Sequence, residues 1–158
     1  MPSPEHDFDS LLRLLLGKEV RFIVAGGVAC ALNGFVRATE DLDILIEASA
    51  SNILKLLKTL ESWGEGYARE LRVEDFPLEP GAVRIIEDFP LDIFTLISGK
   101  PYADFLPNVL KTRQGIQYLD LKSLIETKKN NHREKDDIDI LALRRIAKDS
   151  VKKKSKRS

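Results

Sequence analysis

The amino-acid sequence predicts one α/β domain, in which a small mixed β-sheet is flanked by helices. Two observations support this prediction. Short runs of β-branched and aromatic residues alternate with longer stretches whose apolar residues recur at helical spacing. The chain has 158 residues, of which 43% are apolar, and this is enough for one hydrophobic core but not for two full domains. We therefore expect residues 1–150 to form a single domain.

Helices are predicted where apolar residues return every three or four positions. Residues 7–17, 50–63 and 121–128 have this pattern, and a further helix is predicted from about residue 134. The last two helices form a predicted C-terminal helical pair. Trp63, at the end of the second helix, has two interpretations: it is either a core anchor or a platform on which a base stacks.

Strands are predicted at residues 22–25, 41–47, 82–86, 91–97 and 116–119. Each of these segments is a short run rich in β-branched or aromatic residues. The third and fourth are separated by a Glu-Asp-Phe-Pro turn, so we expect them to form an antiparallel pair.

The first predicted strand runs directly into Gly26 and Gly27. Glycines allow a tight turn at this point and let backbone N–H groups approach a ligand. The small and apolar residues that follow are expected to begin a short helix, whose N-terminal amides and positive dipole end point into the turn. The sequence therefore predicts an anion site at the turn.

Asp41 and Asp43 open the second predicted strand, and their spacing puts both carboxylates on one face of the sheet. Two close carboxylates repel one another, so a protein usually supplies a cation, either a basic side chain or a metal ion. Hard oxygen ligands suit Mg²⁺ or Mn²⁺. Because a predicted phosphate turn ends one strand and the acidic pair begins the next, the sequence predicts a site for a magnesium–nucleotide complex.

Asp92 is the one charged residue in the otherwise apolar run 91–97. A buried carboxylate in such a strand is costly unless a metal ion or another cation pairs with it. We therefore expect Asp92 to have a partner. The alternative is an aspartate at the end of a strand that faces water.

The Gly-Gly turn, a spacer and the Asp-Leu-Asp sequence at 41–43 resemble the signature of the DNA polymerase β-like nucleotidyltransferase superfamily. The stretch from Arg37 to Asp43 is similar to its small bacterial and archaeal members, the minimal nucleotidyltransferases and the AbiEii-type toxin proteins of toxin–antitoxin systems. The resemblance implies a nucleotidyltransferase fold and transfer of a nucleotidyl group from a nucleoside triphosphate to an acceptor hydroxyl, with two Mg²⁺ ions. It does not identify the acceptor, which an RNA, a protein or a small molecule would supply.

The same resemblance implies roles for individual residues. Asp92 matches the third carboxylate, which completes a catalytic and metal-binding triad with Asp41 and Asp43. The residues that the resemblance assigns to nucleotide binding are Gly26, Gly27, Arg37, Thr39, Lys128 and Lys135. For Lys135 there is a structural alternative, an ion pair with Asp139 four residues later on a helix.

Composition and charge narrow the function classes further. The formal net charge is zero, so the chain as a whole is not built to coat nucleic acid. Cys30 is the single cysteine, and its apolar context favours a small buried side chain in a reducing compartment. No basic signal segment and no run of ~20 apolar residues is present, so we expect a soluble, cytoplasmic protein without a membrane partner. Residues 151–158 form a basic tail, expected to be mobile, that could attract RNA or an acidic partner.

Two other function classes compete with an enzyme. The first is a non-catalytic nucleotide-binding antitoxin or regulatory subunit that docks a helical partner protein. Three converging carboxylates argue against it, because pure binding does not require them. The second is a dinucleotide-binding oxidoreductase, which is weaker because the Gly-x-Gly-x-x-Gly spacing is absent.

Overall fold

A computed structural model describes residues 4–36 and 38–130 of the chain. Within these ranges, helices α1 to α5 span Pro4–Gly17, Gly26–Leu32, Ala50–Leu60, Tyr102–Phe105 and Leu121–Asn130. Strands β1 to β6 span Phe22–Ala25, Leu42–Ile46, Ala82–Ile86, Pro90–Phe94, Val109–Lys111 and Gln117–Leu119. This is the α/β architecture that the sequence predicts.

The described strands form one mixed sheet in the order β3-β4-β2-β1-β6-β5. β1 pairs antiparallel with β2 and parallel with β6, while β2 pairs parallel with β4. β3 and β4 form the predicted antiparallel pair. In the strand order, β3 lies at one edge of the sheet. In one row that crosses four strands, Ala25 lies opposite Asp43, Asp43 opposite Asp92, and Asp92 opposite Arg84.

The hydrophobic core surrounds the centre of this sheet. Every residue of β1 is buried, which requires cover on both faces of the sheet. The fully buried side chains of the core include Leu15, Ile23, Leu45, Leu56 and Ile93. α1 contacts α3, and α2 contacts α5. None of the helices in the described ranges combines the length and the apolarity that crossing a bilayer requires.

Trp63 lies outside the helix that the sequence assigns to it. α3 ends at Leu60, and Trp63 follows in a turn in which its backbone N–H donates to the Leu60 carbonyl. The Trp63 ring packs on Phe89 with the ring centroids 5.2 Å apart, and Phe89 also contacts Phe8 of α1. These contacts support the core-anchor interpretation of Trp63.

The second half of the chain differs from the prediction at several element ends. β4 ends at Phe94 rather than at residue 97, and the next side chain, Thr95, donates a hydrogen bond to the Pro77 carbonyl at 2.7 Å. Sequence periodicity does not predict α4 or β5, because elements of four and three residues are too short to show it. The predicted helix from residue 134 and the tail 151–158 lie outside the described residues.

Two leucines on α3 provide a test of the core. Leu56→Ala removes a side chain that is 0% exposed, so we expect the free energy of unfolding to fall by about 2–5 kcal/mol. Leu54→Ala makes the same chemical change at a position that is 58% exposed, and its cost should stay within about 0.5 kcal/mol. Urea unfolding followed by circular dichroism measures both values. Equal losses in the two variants would contradict this orientation of α3.

Candidate active site

The structure brings the three predicted aspartates together on one face of the sheet. Asp43 lies opposite Asp92 in the parallel pair of β2 and β4. Asp41 immediately precedes β2 and shares the side of Asp43, because Leu42 and Ile44 are fully buried on the opposite side. The carboxylates therefore converge where β2 begins.

Arg84 joins these aspartates from the edge strand β3. Its Nε donates to Asp92 Oδ1 at 2.8 Å, and its Nη2 donates to Asp92 Oδ2 at 2.9 Å. The same Nη2 donates to Asp41 Oδ2 at 3.1 Å. The guanidinium thus holds both oxygens of one carboxylate in the bidentate geometry that arginine favours, and bridges it to a second carboxylate.

Asp92 is a buried carboxylate with a basic partner. It is 7% exposed and lies in the middle of β4, so the alternative of a strand-end aspartate that faces water is wrong. The sequence predicts that this carboxylate needs a cation, and the structure supplies the Arg84 guanidinium. Without Arg84 or a replacement cation, Asp92 would keep its hydrogen bond with Asp43 but would be a buried charge without a cationic partner.

Arg84 is not among the site residues predicted from the sequence, although the hairpin contains a signal for it. The turn between β3 and β4 has three residues, 87–89, and this register places Arg84 directly opposite Asp92. The four-residue turn predicted from the sequence would place Ile93 opposite Arg84 instead. Because a slip of one residue exchanges the two faces of a strand, the pairing is visible only with the correct turn length.

The pKa of Asp43 is raised from 3.8 to about 7. The largest cause is burial, followed by the charges of Asp92 and Asp41 and a hydrogen bond with Asp92, while the positive charge of Arg84 lowers the pKa. The hydrogen bonds and negative charge of Asp92 raise the pKa of the Arg84 guanidinium above its ordinary value. Three carboxylates therefore share the one guanidinium described in this cluster.

Gly26 and Gly27, predicted as a turn ahead of the helix and still called the glycine turn, are the first two residues of α2 and lie directly against the acidic cluster. Gly26 begins α2 with a φ of +58°, and a Cβ at this position would collide with the Asp43 carboxylate. A Cβ on Gly27 would lie 2.8 Å from the Thr39 Oγ1. The Thr39 hydroxyl donates to the Asp41 carbonyl at 3.1 Å, so it connects the turn to the acidic strand. Packing alone therefore requires both glycines, and their role in binding phosphate stays a prediction.

The remaining residues assigned to nucleotide binding also stay predictions. Arg37 and Lys135 lie outside the described residues. Lys128 is half-buried near the end of α5, and α5 contacts α2, the helix that begins at Gly26. Lys128 is therefore on an element attached to the glycine turn.

The donor set fits a divalent cation in its chemistry. The carboxylate oxygens of Asp41, Asp43 and Asp92 are hard ligands, which suit Mg²⁺ or Mn²⁺. Burial first, and then the charges of Asp92 and Asp41, raise the pKa of Asp43, and a divalent cation would offset the part that is due to the charges. Across residues 4–36 and 38–130, no group of three or more His, Cys, Asp or Glu side chains is arranged to hold a metal ion. Arg84 donates to both oxygens of Asp92. A metal ion bound by all three aspartates would therefore have to share these oxygens with the guanidinium or replace it.

The pKa of Asp43 predicts how stability changes with pH. The folded chain keeps the Asp43 proton up to about pH 7, whereas the unfolded chain releases it near the ordinary pKa of 3.8. The folded state binds more protons between these values, so the free energy of unfolding should fall as the pH rises through this window. Asp43→Asn keeps the shape without the charge and should flatten the decline.

Urea unfolding of both proteins between about pH 5 and about pH 8 measures this difference. Asp88→Asn removes an exposed carboxylate in the β3–β4 turn and controls for the loss of one negative charge. If the free energy of unfolding declines with pH equally in Asp43→Asn and in the parent, the titration of Asp43 is not the cause of that decline.

Comparison with known proteins adds a likeness in fold. No family model matches the chain, and no curated protein matches it by sequence. A crystal structure of a Thermotoga maritima protein, described as a candidate nucleotidyltransferase, superposes with a TM-score of 0.54. The two chains are 17% identical, and the match covers 98% of this chain and 94% of the other. This chain therefore shares the fold of that protein.

Proposed function

We propose that the protein is a nucleotidyltransferase that moves a nucleoside monophosphate group from a nucleoside triphosphate to an acceptor hydroxyl. One observation carries the proposal: Asp41, Asp43 and Asp92 converge beside the Gly26–Gly27 turn on a sheet with this fold. The carboxylates and the turn are the two parts that a metal–triphosphate complex needs.

In this proposal Asp41, Asp43 and Asp92 would hold Mg²⁺ or Mn²⁺. The metal, when bound, supplies positive charge that lowers the pKa of the acceptor hydroxyl and neutralises the departing pyrophosphate. Metal binding favours the ionised form of Asp43, so the cation and the Asp43 proton compete. Asp92 is also the proposed acceptor of the hydroxyl proton, and it can act so only when Arg84 releases its oxygens.

The glycine turn would bind the phosphates. The structure supports this role because neither Gly26 nor Gly27 has a side chain to block the backbone next to Asp43. Thr39, which holds the Asp41 carbonyl, fixes the distance between the turn and the carboxylates. Arg37, Lys128 and Lys135 would add positive charge for the triphosphate, as the sequence resemblance implies.

A nucleotidyl-transfer assay tests the function. The protein is incubated with each nucleoside triphosphate labelled at the α-phosphate, with Mg²⁺ or Mn²⁺, and with RNA, protein or small-molecule fractions of a cell. Label should appear in one fraction, and Asp43→Asn and Asp92→Asn should each lower the rate by ~10²-fold or more, because both changes remove charge that the transition state needs. Asp88→Asn, outside the cluster, is the matched control. A rate within a few-fold of the parent in Asp92→Asn would remove Asp92 from the mechanism.

A double variant tests the glycine turn separately. In the parent, Gly27→Ala would press on Thr39, with its new Cβ 2.8 Å from Oγ1 and 3.0 Å from Cβ, so Thr39→Gly serves as the background in which both contacts are removed. Gly27→Ala in this background should bind a non-hydrolysable triphosphate with Mg²⁺ about tenfold more weakly than Thr39→Gly alone, because a charge-assisted hydrogen bond is disturbed. Calorimetry measures both affinities. Equal affinities would reduce the turn to a structural bend.

One observation favours a second function. Arg84 pairs with Asp92 and Asp41 and so supplies both with a cation when no metal ion is bound, which is compatible with a nucleotide-binding antitoxin or regulatory subunit that keeps the fold without catalysis and docks a helical partner. Such a protein would bind triphosphate but leave every fraction unlabelled. The AbiEii-type relationship and a toxin–antitoxin role rest on the sequence resemblance alone.

A further inference from the structure

We infer that Arg84 is a displaceable counter-cation, which occupies the carboxylates of Asp92 and Asp41 when no divalent cation is bound and leaves them when one binds. The inference rests on the proposed function, because it assigns regulation to the same site. It makes the arginine pair an autoinhibitory contact in the free protein.

Competition follows from the atoms that Arg84 uses. It takes Oδ1 and Oδ2 of Asp92 and Oδ2 of Asp41, which are oxygens that a divalent cation needs. A guanidinium and a divalent cation in one cluster also repel each other. Each therefore weakens the binding of the other, and the effect is reciprocal because the two equilibria are linked.

The position of Arg84 allows it to leave. Its side chain is 50% exposed, whereas that of Asp92 is 11% exposed. β3 is an edge strand, so the Arg84 side chain can rotate into solvent while the backbone pairing with β4 persists. Asp92 has no such freedom, because β4 lies between β2 and β3. The moving partner is therefore the arginine.

A purely structural pair would behave differently. If Arg84 served only to orient Asp92 for a metal, removing it would weaken metal binding. If Arg84 competes with the metal, removing it strengthens metal binding even as it destabilises the fold by leaving Asp92 without a cationic partner. The sign of the change in metal affinity separates the two roles.

Mn²⁺ binding without nucleotide, followed by electron paramagnetic resonance, provides the test. Arg84→Gln should bind Mn²⁺ more tightly than the parent, on the order of tenfold. Arg84→Lys keeps the charge but loses the bidentate fork, so its affinity should lie between those two. Arg13→Gln is the matched control, since Arg13 of α1 also pairs with an aspartate, Asp9, and should leave Mn²⁺ affinity unchanged. Unchanged or weaker Mn²⁺ binding by Arg84→Gln would overturn the inference.

A second measurement uses the unaltered protein, in case the variants fold poorly. The Nε–H of Arg84 donates to Asp92, so its nitrogen-15 resonance should show slow hydrogen exchange, and through-bond correlations along the Arg84 side chain assign it in the unaltered protein. Mg²⁺ with a non-hydrolysable triphosphate should accelerate that exchange. Exchange that stays slow when the metal–nucleotide is bound would overturn the inference.

Mn²⁺ affinity and Nε–H exchange are measured without catalytic turnover, so they test the role of Arg84 separately from the proposed nucleotidyl transfer. Label transfer together with unaltered Mn²⁺ affinity in Arg84→Gln would sustain the proposed function and overturn the role of Arg84. Tighter Mn²⁺ binding without label in any fraction would sustain the competition and overturn catalysis.

Discussion

Electrostatic repulsion among Asp41, Asp43 and Asp92 is the constraint on which the rest of the site depends. Strand pairing places Asp43 opposite Asp92, and the register cannot shift without moving the neighbouring core residues Ile44 and Ile93. The repulsion must therefore be relieved by positive charge or by protonation. The structure uses both, with Arg84 against two carboxylates and a raised pKa at the third. A divalent cation would provide the relief that remains.

The glycine turn is subject to the same constraint, because it lies against the Asp43 carboxylate. Any Cβ at Gly26 would enter the space of that carboxylate, and the Thr39 side chain takes the corresponding space at Gly27. The sequence pattern of two glycines followed by an Asp-Leu-Asp strand thus has a packing explanation that is independent of any ligand. The same packing leaves the backbone at both glycines without a side chain, which the proposed phosphate role also needs. Structural and functional demands on these residues are compatible, so the pattern alone does not separate them.

What the sequence predicts well depends on how local the signal is. Some features follow from the pattern within a single segment, and the structure agrees with them. They are the strand at 22–25, the end of the first helix at Gly17, and the need of Asp92 for a partner. The pairing of Arg84 with Asp92 is not predicted, because it depends on the register of a hairpin. A change of one residue in turn length changes the residue that lies opposite Arg84. α4 and β5 are also missed, since tertiary contacts rather than local patterns specify elements this short.

The competition inferred for Arg84 reduces to one free-energy difference at this edge of the sheet. It depends on whether Arg84 or a metal–nucleotide complex holds the carboxylates more tightly. Because Arg84 is on an edge strand and half-exposed, exchange between the two requires rotation of one side chain and no rearrangement of the core. An edge position thus makes the charge balance adjustable, whereas the buried partner Asp92 keeps its place. A substitution at Arg84 would then favour the metal at a cost in stability, because Asp92 loses its cationic partner.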